Sequence, residues 1–266
     1  MACDACKSGF RWQGTPVGSE ITLNGNPTYV TGDSKSAAIL MIHDIFGWTL
    51  PNVRLLADHY AQEANATVYL PDFFGGEIVP PEILDDPEKK EAFNVPAFIE
   101  RNSKDQRFPD ILACAQALKS AYPKVGAIGF CYGGWAVFQL AARGPELLSC
   151  ISTAHPTFLT EKEIAAGRVP AQILAPEHDH RLTPELKEFC NRVIPELGLP
   201  YEYVYFPKMS HGFAVRADLN DELQKAGLAR AKRAAVHCLA IASRRCPTGW
   251  LQGRSAVKMV PDSGLV

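Results

Sequence analysis

The stretch Gly129-Phe130-Cys131-Tyr132-Gly133-Gly134 constrains this 266-residue chain more than any other. It joins an apolar run of strand length at 125–129 to a helical pattern at 135–143. Glycines on both sides of one reactive residue imply a turn so tight that a Cβ at either flank would strike the neighbouring strand or helix. Cys131 is then expected in a strained backbone at a helix N-terminus. Unpaired N–H groups and the helix dipole at that end favour a thiolate over a thiol. A buried structural cysteine in a glycine-rich turn is the alternative reading.

Strand candidates lie at 21–23, 28–31, 38–43, 67–70, 125–129, 149–153, 172–175 and 202–206, and helical patterns at 52–63, 109–120, 135–143, 184–193 and 218–244. Asn24-Gly25-Asn26 joins the first two strands as a hairpin turn. From residue 38 onward apolar strands alternate with amphipathic helices, which implies a mostly parallel twisted sheet with helices on both faces. The expected organisation is one α/β domain over 1–266. It carries an N-terminal arm (1–14), a charged, proline-containing excursion (75–108) beside the active site, and a loose C-terminal tail (250–266).

Composition narrows the function classes. Hydrophobic residues make up 47% and charged residues 21%, with a formal net charge of −2, so no basic footprint for nucleic acid or anionic membrane is visible. The longest uncharged apolar stretch, 37–42, is far too short to span a bilayer. The N-terminus lacks a basic region followed by an apolar core, so no secretory signal is expected. Eight cysteines spread through strands and helices do not suggest a disulfide framework and fit a reduced, cytoplasmic setting. Cys3 and Cys6 form an isolated C-x-x-C without a second ligand pair, which reads as part of a packed N-terminal arm.

In an open α/β sheet reacting groups gather at the carboxyl ends of strands. The strand at 172–175 is followed by Pro176-Glu177-His178-Asp179-His180, and the strand at 202–206 by Pro207-Lys208-Met209-Ser210-His211-Gly212-Phe213. The chain order is therefore nucleophile, acid, histidine, and Cys131, Asp179 and His211 are expected to meet as a triad. Glu177 is the competing acid. A zinc site built from His178, His180, Asp179 and His211 is a further alternative, set aside because successive residues of an extended segment point to opposite sides and the triad already uses Asp179 and His211. Neither a metal nor an organic cofactor is expected. Phe46, Trp48, Tyr132, Trp135 and Phe213 are candidates for pocket walls, with core packing as the competing reading. His155, after the strand at 149–153, is a candidate substrate contact.

The segments His43-Asp44-Ile45-Phe46-Gly47, Pro71-Asp72-Phe73-Phe74, Gly129 to Gly134 as quoted above, Glu177-His178-Asp179 and Ser210-His211-Gly212-Phe213-Ala214 resemble the dienelactone hydrolases in order, the fungal members most nearly. The resemblance runs from about residue 14 to 244 and implies an α/β-hydrolase fold. It implies that Cys131 attacks a lactone or ester carbonyl, that His211 serves as acid and base, and that Asp179 orients it. The backbone N–H groups of Ile45 and Tyr132 would form the oxyanion hole. Asp44 stands where bacterial members carry a glutamate that holds the resting thiol, and is one methylene shorter. Arg216 lies near a family position that binds a substrate carboxylate, and Arg101 or Arg107 would supply another.

Thiol chemistry narrows the substrate independently. A thiolate leaves a tetrahedral intermediate more readily than an alkoxide does, so progress requires a stabilised leaving group or prompt protonation. Enol lactones and aryl esters meet that condition. The expected function is hydrolysis of a small-molecule lactone or activated ester through a cysteinyl acyl-enzyme, by a monomer or homodimer. A non-hydrolytic isomerase or dehydratase acting on a polyketide-like intermediate is the alternative, with a ligand-binding protein on the same scaffold behind it.

Overall fold

The computed structural model describes residues 7–77, 79–84 and 86–243. Cys3, Cys6 and the 250–266 tail lie outside the described residues. A sheet of eight strands runs in the order β1-β2-β4-β3-β5-β6-β7-β8. The strands are β1 (Ser19–Leu23), β2 (Asn26–Thr31), β3 (Ala37–Ile42), β4 (Thr67–Pro71), β5 (Lys124–Phe130), β6 (Cys150–Ala154), β7 (Ala171–His178) and β8 (Tyr201–Ser210). From β4 through β8 the pairings are parallel, and β1 and β2 extend the sheet antiparallel. Asn24 and Gly25 both take positive φ, the requirement of a two-residue hairpin turn whose twist matches the strands it joins.

Apolar strands without alternation form the centre of the sheet. Every residue of β3 is buried, as are six of the seven in β5, because helices cover both faces. Among the described residues these are α1 (Pro51–Ala64), α2 (Pro87–Ala92), α3 (Val95–Arg101), α4 (Lys104–Ala121), α5 (Gly133–Ala141), α6 (Glu161–Ala165), α7 (Pro184–Glu196), α8 (Phe213–Arg216) and α9 (Glu222–Ser243). Pro51 and Pro184 begin helices where a missing N–H costs nothing, and Thr160 closes a reciprocal capping box with Glu163.

Three differences from the sequence reading have local causes. Helix α4 starts at Lys104 rather than at 109, and Pro109 sits within it. The carbonyl that Pro109 cannot serve belongs to Asp105, an exposed residue open to solvent. Strands β7 and β8 run three and four residues beyond their expected ends, through a bulge, so that His178 pairs with Ser210. The excursion at 75–108 is largely helical, holding a 3-10 turn at Pro81–Leu84 together with α2, α3 and the start of α4. Asp86 and Asn94 cap its two short helices.

The strand order places the site. From β3 the chain passes to β4 on one side, and β5 then lies on the other, so the crevice at the carboxyl ends of β3 and β5 is a topological switch point. The loop after β3 and the turn after β5 face each other across it.

Candidate active site

At the tip of β5 Cys131 has φ 48°, in the left-handed region. A Cβ on Gly129 would come closer than 3.0 Å to the Gly133 carbonyl, one on Gly133 would strike that of Ile42, and one on Gly134 would strike Pro156. These three glycines are therefore a steric necessity of the turn. The Cys131 amide donates to the Ala154 carbonyl at 3.2 Å, and the Cys131 carbonyl accepts from the Thr157 amide at 2.8 Å. The Sγ lies 4.0 Å from the Thr157 hydroxyl. Of the six non-glycine residues with positive φ among the described residues, Cys131, His155 and Phe158 belong to this elbow and the β6 loop against it. Left-handed backbone costs such residues about 1–3 kcal/mol each, and strain of this kind collects at functional sites.

Asp179 and His211 come together through the β7–β8 register. Each follows the last paired residue of its strand, and the His211 amide donates to the His178 carbonyl at 3.2 Å. Asp179 Oδ2 lies 2.9 Å from His211 Nδ1, both side chains fully buried. Asp179 Oδ1 accepts from the amides of Arg181 and Leu182 at 2.8 and 3.2 Å. Burial pushes the Asp179 carboxyl up, but the hydrogen bond and charge of His211 and the Arg181 amide outweigh it and hold it below its ordinary value. An ionised carboxylate only accepts, so Nδ1 of His211 carries the proton and Nε2 is left as the basic nitrogen. Glu177 is spent elsewhere: its carboxylate accepts from the Lys208 amide at 2.6 Å, at the left-handed residue of the β8 bulge.

His155 links the two halves. It follows β6, and its ring stands 4.9 Å from that of His211 and 5.8 Å from that of Phe213. Burial, and then the charge of His211, push its pKa well down against the pull of Asp179. The ring of His180 lies 6.2 Å from that of His211, while His178 turns outward beside Glu177.

The loop after β3 is shaped by its own hydrogen bonds. Asp44 Oδ1 accepts from the Phe46 amide at 3.0 Å, and its Oδ2 takes Arg216 in a fully buried ion pair. His43 pins the same loop: the Phe73 amide donates to its Nε2 at 3.2 Å, which leaves Nδ1 to donate to the Asp44 carbonyl at 2.8 Å. Burial lowers the His43 pKa to about 4 although Asp72 pulls it up, so the ring is neutral near pH 7. The geometry thus turns Asp44 toward Arg216. Arg216 in turn lies against Phe46, 5.0 Å from its ring, and donates to the Ser8 carbonyl at 2.9 Å. Arg101 and Arg107 are also engaged, Arg101 with Glu77 and Arg107 with Asn102 and the Phe74 carbonyl.

The aromatic candidates divide. Trp48 packs beneath Arg54, and Trp135 lies inside the core against Phe108 and Tyr132. The Tyr132 hydroxyl donates to the Asn102 carbonyl at 2.7 Å, which fastens the excursion to the elbow. Phe213 packs on Phe206 and His155. Thr157 had no signal in the sequence, since nothing in its neighbourhood predicts a hydroxyl folded back against the elbow. His43 stood in a quoted motif without a role, and its hydrogen bonds supply one.

A left-handed residue raised on a strand-to-helix turn is how α/β-hydrolases present a side chain at the carboxyl edge of the sheet, and this chain is built on that plan. Within that class its sequence is more specific. The profile of the Dienelactone hydrolase family matches residues 26–241, and the chain belongs to that family of carboxylic ester hydrolases. It is 30% identical over 220 residues to Hydrolase pyvD of Aspergillus violaceofuscus, covering 81% of this chain and 86% of that protein. To the human Carboxymethylenebutenolidase homolog it is 29% identical over 223 residues, covering 79% and 85%. A putative dienelactone hydrolase structure from Klebsiella pneumoniae superposes with a TM-score of 0.65 at 18% identity, covering 83% of this chain and 98% of that one. No described helix is long and apolar enough to cross a membrane.

Proposed function

We propose that this hydrolase opens a lactone or cleaves an activated ester through a thioester on Cys131. The observation that carries the proposal is the left-handed Cys131 on its glycine-flanked turn, braced by the same β6 loop whose His155 packs on His211. His211 Nε2 removes the Sγ proton as sulfur bonds to the acyl carbon, while Nδ1–H stays on the ionised Asp179. The carbonyl electrons move to oxygen, which the N–H groups of Ile45 and Tyr132 would receive at about 3 kcal/mol per donor. Collapse expels the enolate or phenolate, which takes the proton from His211. Water, deprotonated by His211, then adds to the thioester carbonyl, and collapse releases the acid and the Cys131 thiolate, which takes the proton back from His211.

A stabilised leaving group is required because sulfur otherwise departs first. With Arg216 paired to Asp44, the arginine expected to receive a substrate carboxylate already has one. That favours an uncharged acyl group, held beside Phe46 and Phe213. Neither a metal nor an organic cofactor takes part in these steps, and the 7–243 body works as one domain.

The test is pre-steady-state kinetics with p-nitrophenyl acetate. A burst of p-nitrophenolate stoichiometric with enzyme is expected, together with an acetyl group on Cys131 by mass spectrometry. Cys131→Ala abolishes both. A burst that survives in Cys131→Ala would remove the nucleophile from this proposal.

A further inference from the structure

The β6 loop places at His155 a side chain that packing alone does not account for. Its backbone is left-handed, with φ 41°, where a glycine or asparagine would sit with less strain. That turn drives the imidazole fully inside, against Phe130 at 6.2 Å, Phe213 at 5.8 Å and His211 at 4.9 Å. These neighbours would suit a phenyl ring. Yet an imidazole stands there, and neither of its buried nitrogens has a hydrogen-bond partner on another described residue. Burying a polar ring without a partner on a neighbouring residue is destabilising, so a role beyond filling space is indicated.

We propose that His155 is a positioning residue for His211: an imidazole, set edge to face with that of His211, that fixes its orientation toward Cys131 and faces the charge His211 gains on taking the thiol proton. The proposal rests on the reading of Cys131 and His211 given above. The ring-to-ring angle is 67°, so the two imidazoles meet edge to face rather than stacked. The contact braces the His211 ring from the β6 side, while Asp179 holds its Nδ1. The loop that carries His155 is itself tied to the nucleophile. Ala154 accepts from the Cys131 amide, the Thr157 amide donates to the Cys131 carbonyl, and the His155 amide donates to the Leu174 carbonyl of β7 at 3.1 Å. One loop therefore touches the elbow, the strand that delivers Asp179, and the histidine. A displacement at His155 moves His211 relative to Sγ without touching substrate.

Neutrality is part of the role. The titratable groups around His155 are His211 and Asp179, with Cys131 on the elbow and His180 6.2 Å from the His211 ring. A second cation beside His211 would oppose the imidazolium. Burial and His211 both hold His155 uncharged. An uncharged imidazole still offers a dipole to a cation, which a phenyl ring of the same outline lacks.

The experiment compares His155→Phe and His155→Asn with the parent enzyme. Phenylalanine keeps the shape and asparagine tolerates the left-handed backbone. The readouts are kcat and KM for p-nitrophenyl acetate, the pH profile of kcat/KM, the pH dependence of Cys131 alkylation by iodoacetamide, and the melting temperature. For His155→Phe we expect kcat to fall about ten- to a hundredfold with KM within about twofold, and both pH midpoints to move by about half a unit or more while the melting temperature holds. His155→Asn should show the same kinetic loss. Unchanged kcat and midpoints in His155→Phe would reduce His155 to packing and overturn the proposal. Cys131→Ala assayed in parallel separates the two claims: if it stays active, the nucleophile reading fails, whatever His155→Phe does.

Discussion

At the level of single residues the site is made by backbone geometry first and functional groups second. Cys131 is raised because Gly129, Gly133 and Gly134 have no room for a Cβ, and Asp179 is ionised because hydrogen bonds to His211 and the Arg181 amide outweigh its burial. The glycines, the cysteine and the Asp–His order were all legible in the sequence, since each is a residue type that chemistry or sterics demands at that place. The sequence reading named Asp179 as the acid and kept Glu177, two positions before it, as its competitor. The bulge engages Glu177 at the Lys208 amide, away from His211. Asp179→Asn preserves shape but not charge, and it leaves Nδ1 without an ionised acceptor. Its kcat should drop by about 10³–10⁴-fold with the fold retained, as measured by steady-state hydrolysis alongside circular dichroism. A loss under tenfold would mean that Asp179 does not orient His211.

Elements bring distant segments to the crevice, and one of them is the N-terminal arm. The Lys7 ammonium donates to the Lys90 carbonyl at 2.8 Å and the Lys90 ammonium to the Ser8 hydroxyl at 2.7 Å. The Phe10 amide donates to the Arg216 carbonyl, and Trp12 Nε1 donates to that of Ala217 at 2.9 Å. Asn52 of α1 closes the set by donating to the Phe10 and Val215 carbonyls and accepting from the Trp12 amide. The arm thus clamps α8 and, through the Arg216–Asp44 pair, the loop that carries Ile45. Sequence reading placed an arm here but not its anchor points, because no local pattern announces a partner 200 residues away. Gly9 is the sensitive position: its φ is 146°, and a Cβ would collide with the Arg216 side chain. Gly9→Val is expected to cost about 1–3 kcal/mol in thermal or urea unfolding and to lower kcat, because the Asp44 loop loses its brace. Unchanged stability and turnover would show that the arm lies on the surface without consequence.

For the molecule as a whole, buried neutral histidines make stability depend on pH. His43 has an ordinary pKa of 6.5 in the unfolded chain and about 4 when folded. Between these values the unfolded chain binds a proton that the native state refuses, so stability is complete above pH 6.5 and is lost as pH falls toward 4. The loss amounts to about 3 kcal/mol for this residue, and His155 acts in the same direction. His43→Gln, which can still donate and accept, should flatten the dependence of urea midpoint on pH over that window. An equally steep profile in the variant would assign the acid loss to other groups. The sequence alone determined the alternation of strands and helices, the elbow and the order of Cys131, Asp179 and His211, because these follow from periodicity and from the steric demands of particular side chains over short spans. Tertiary structure alone decided that β7 and β8 extend past their apolar runs until Asp179 meets His211, that Asp44 turns to Arg216, and that His155 lies against His211. Each of these outcomes depends on register or burial between segments far apart along the chain, where hydrogen bonds and charges find partners that no local pattern encodes.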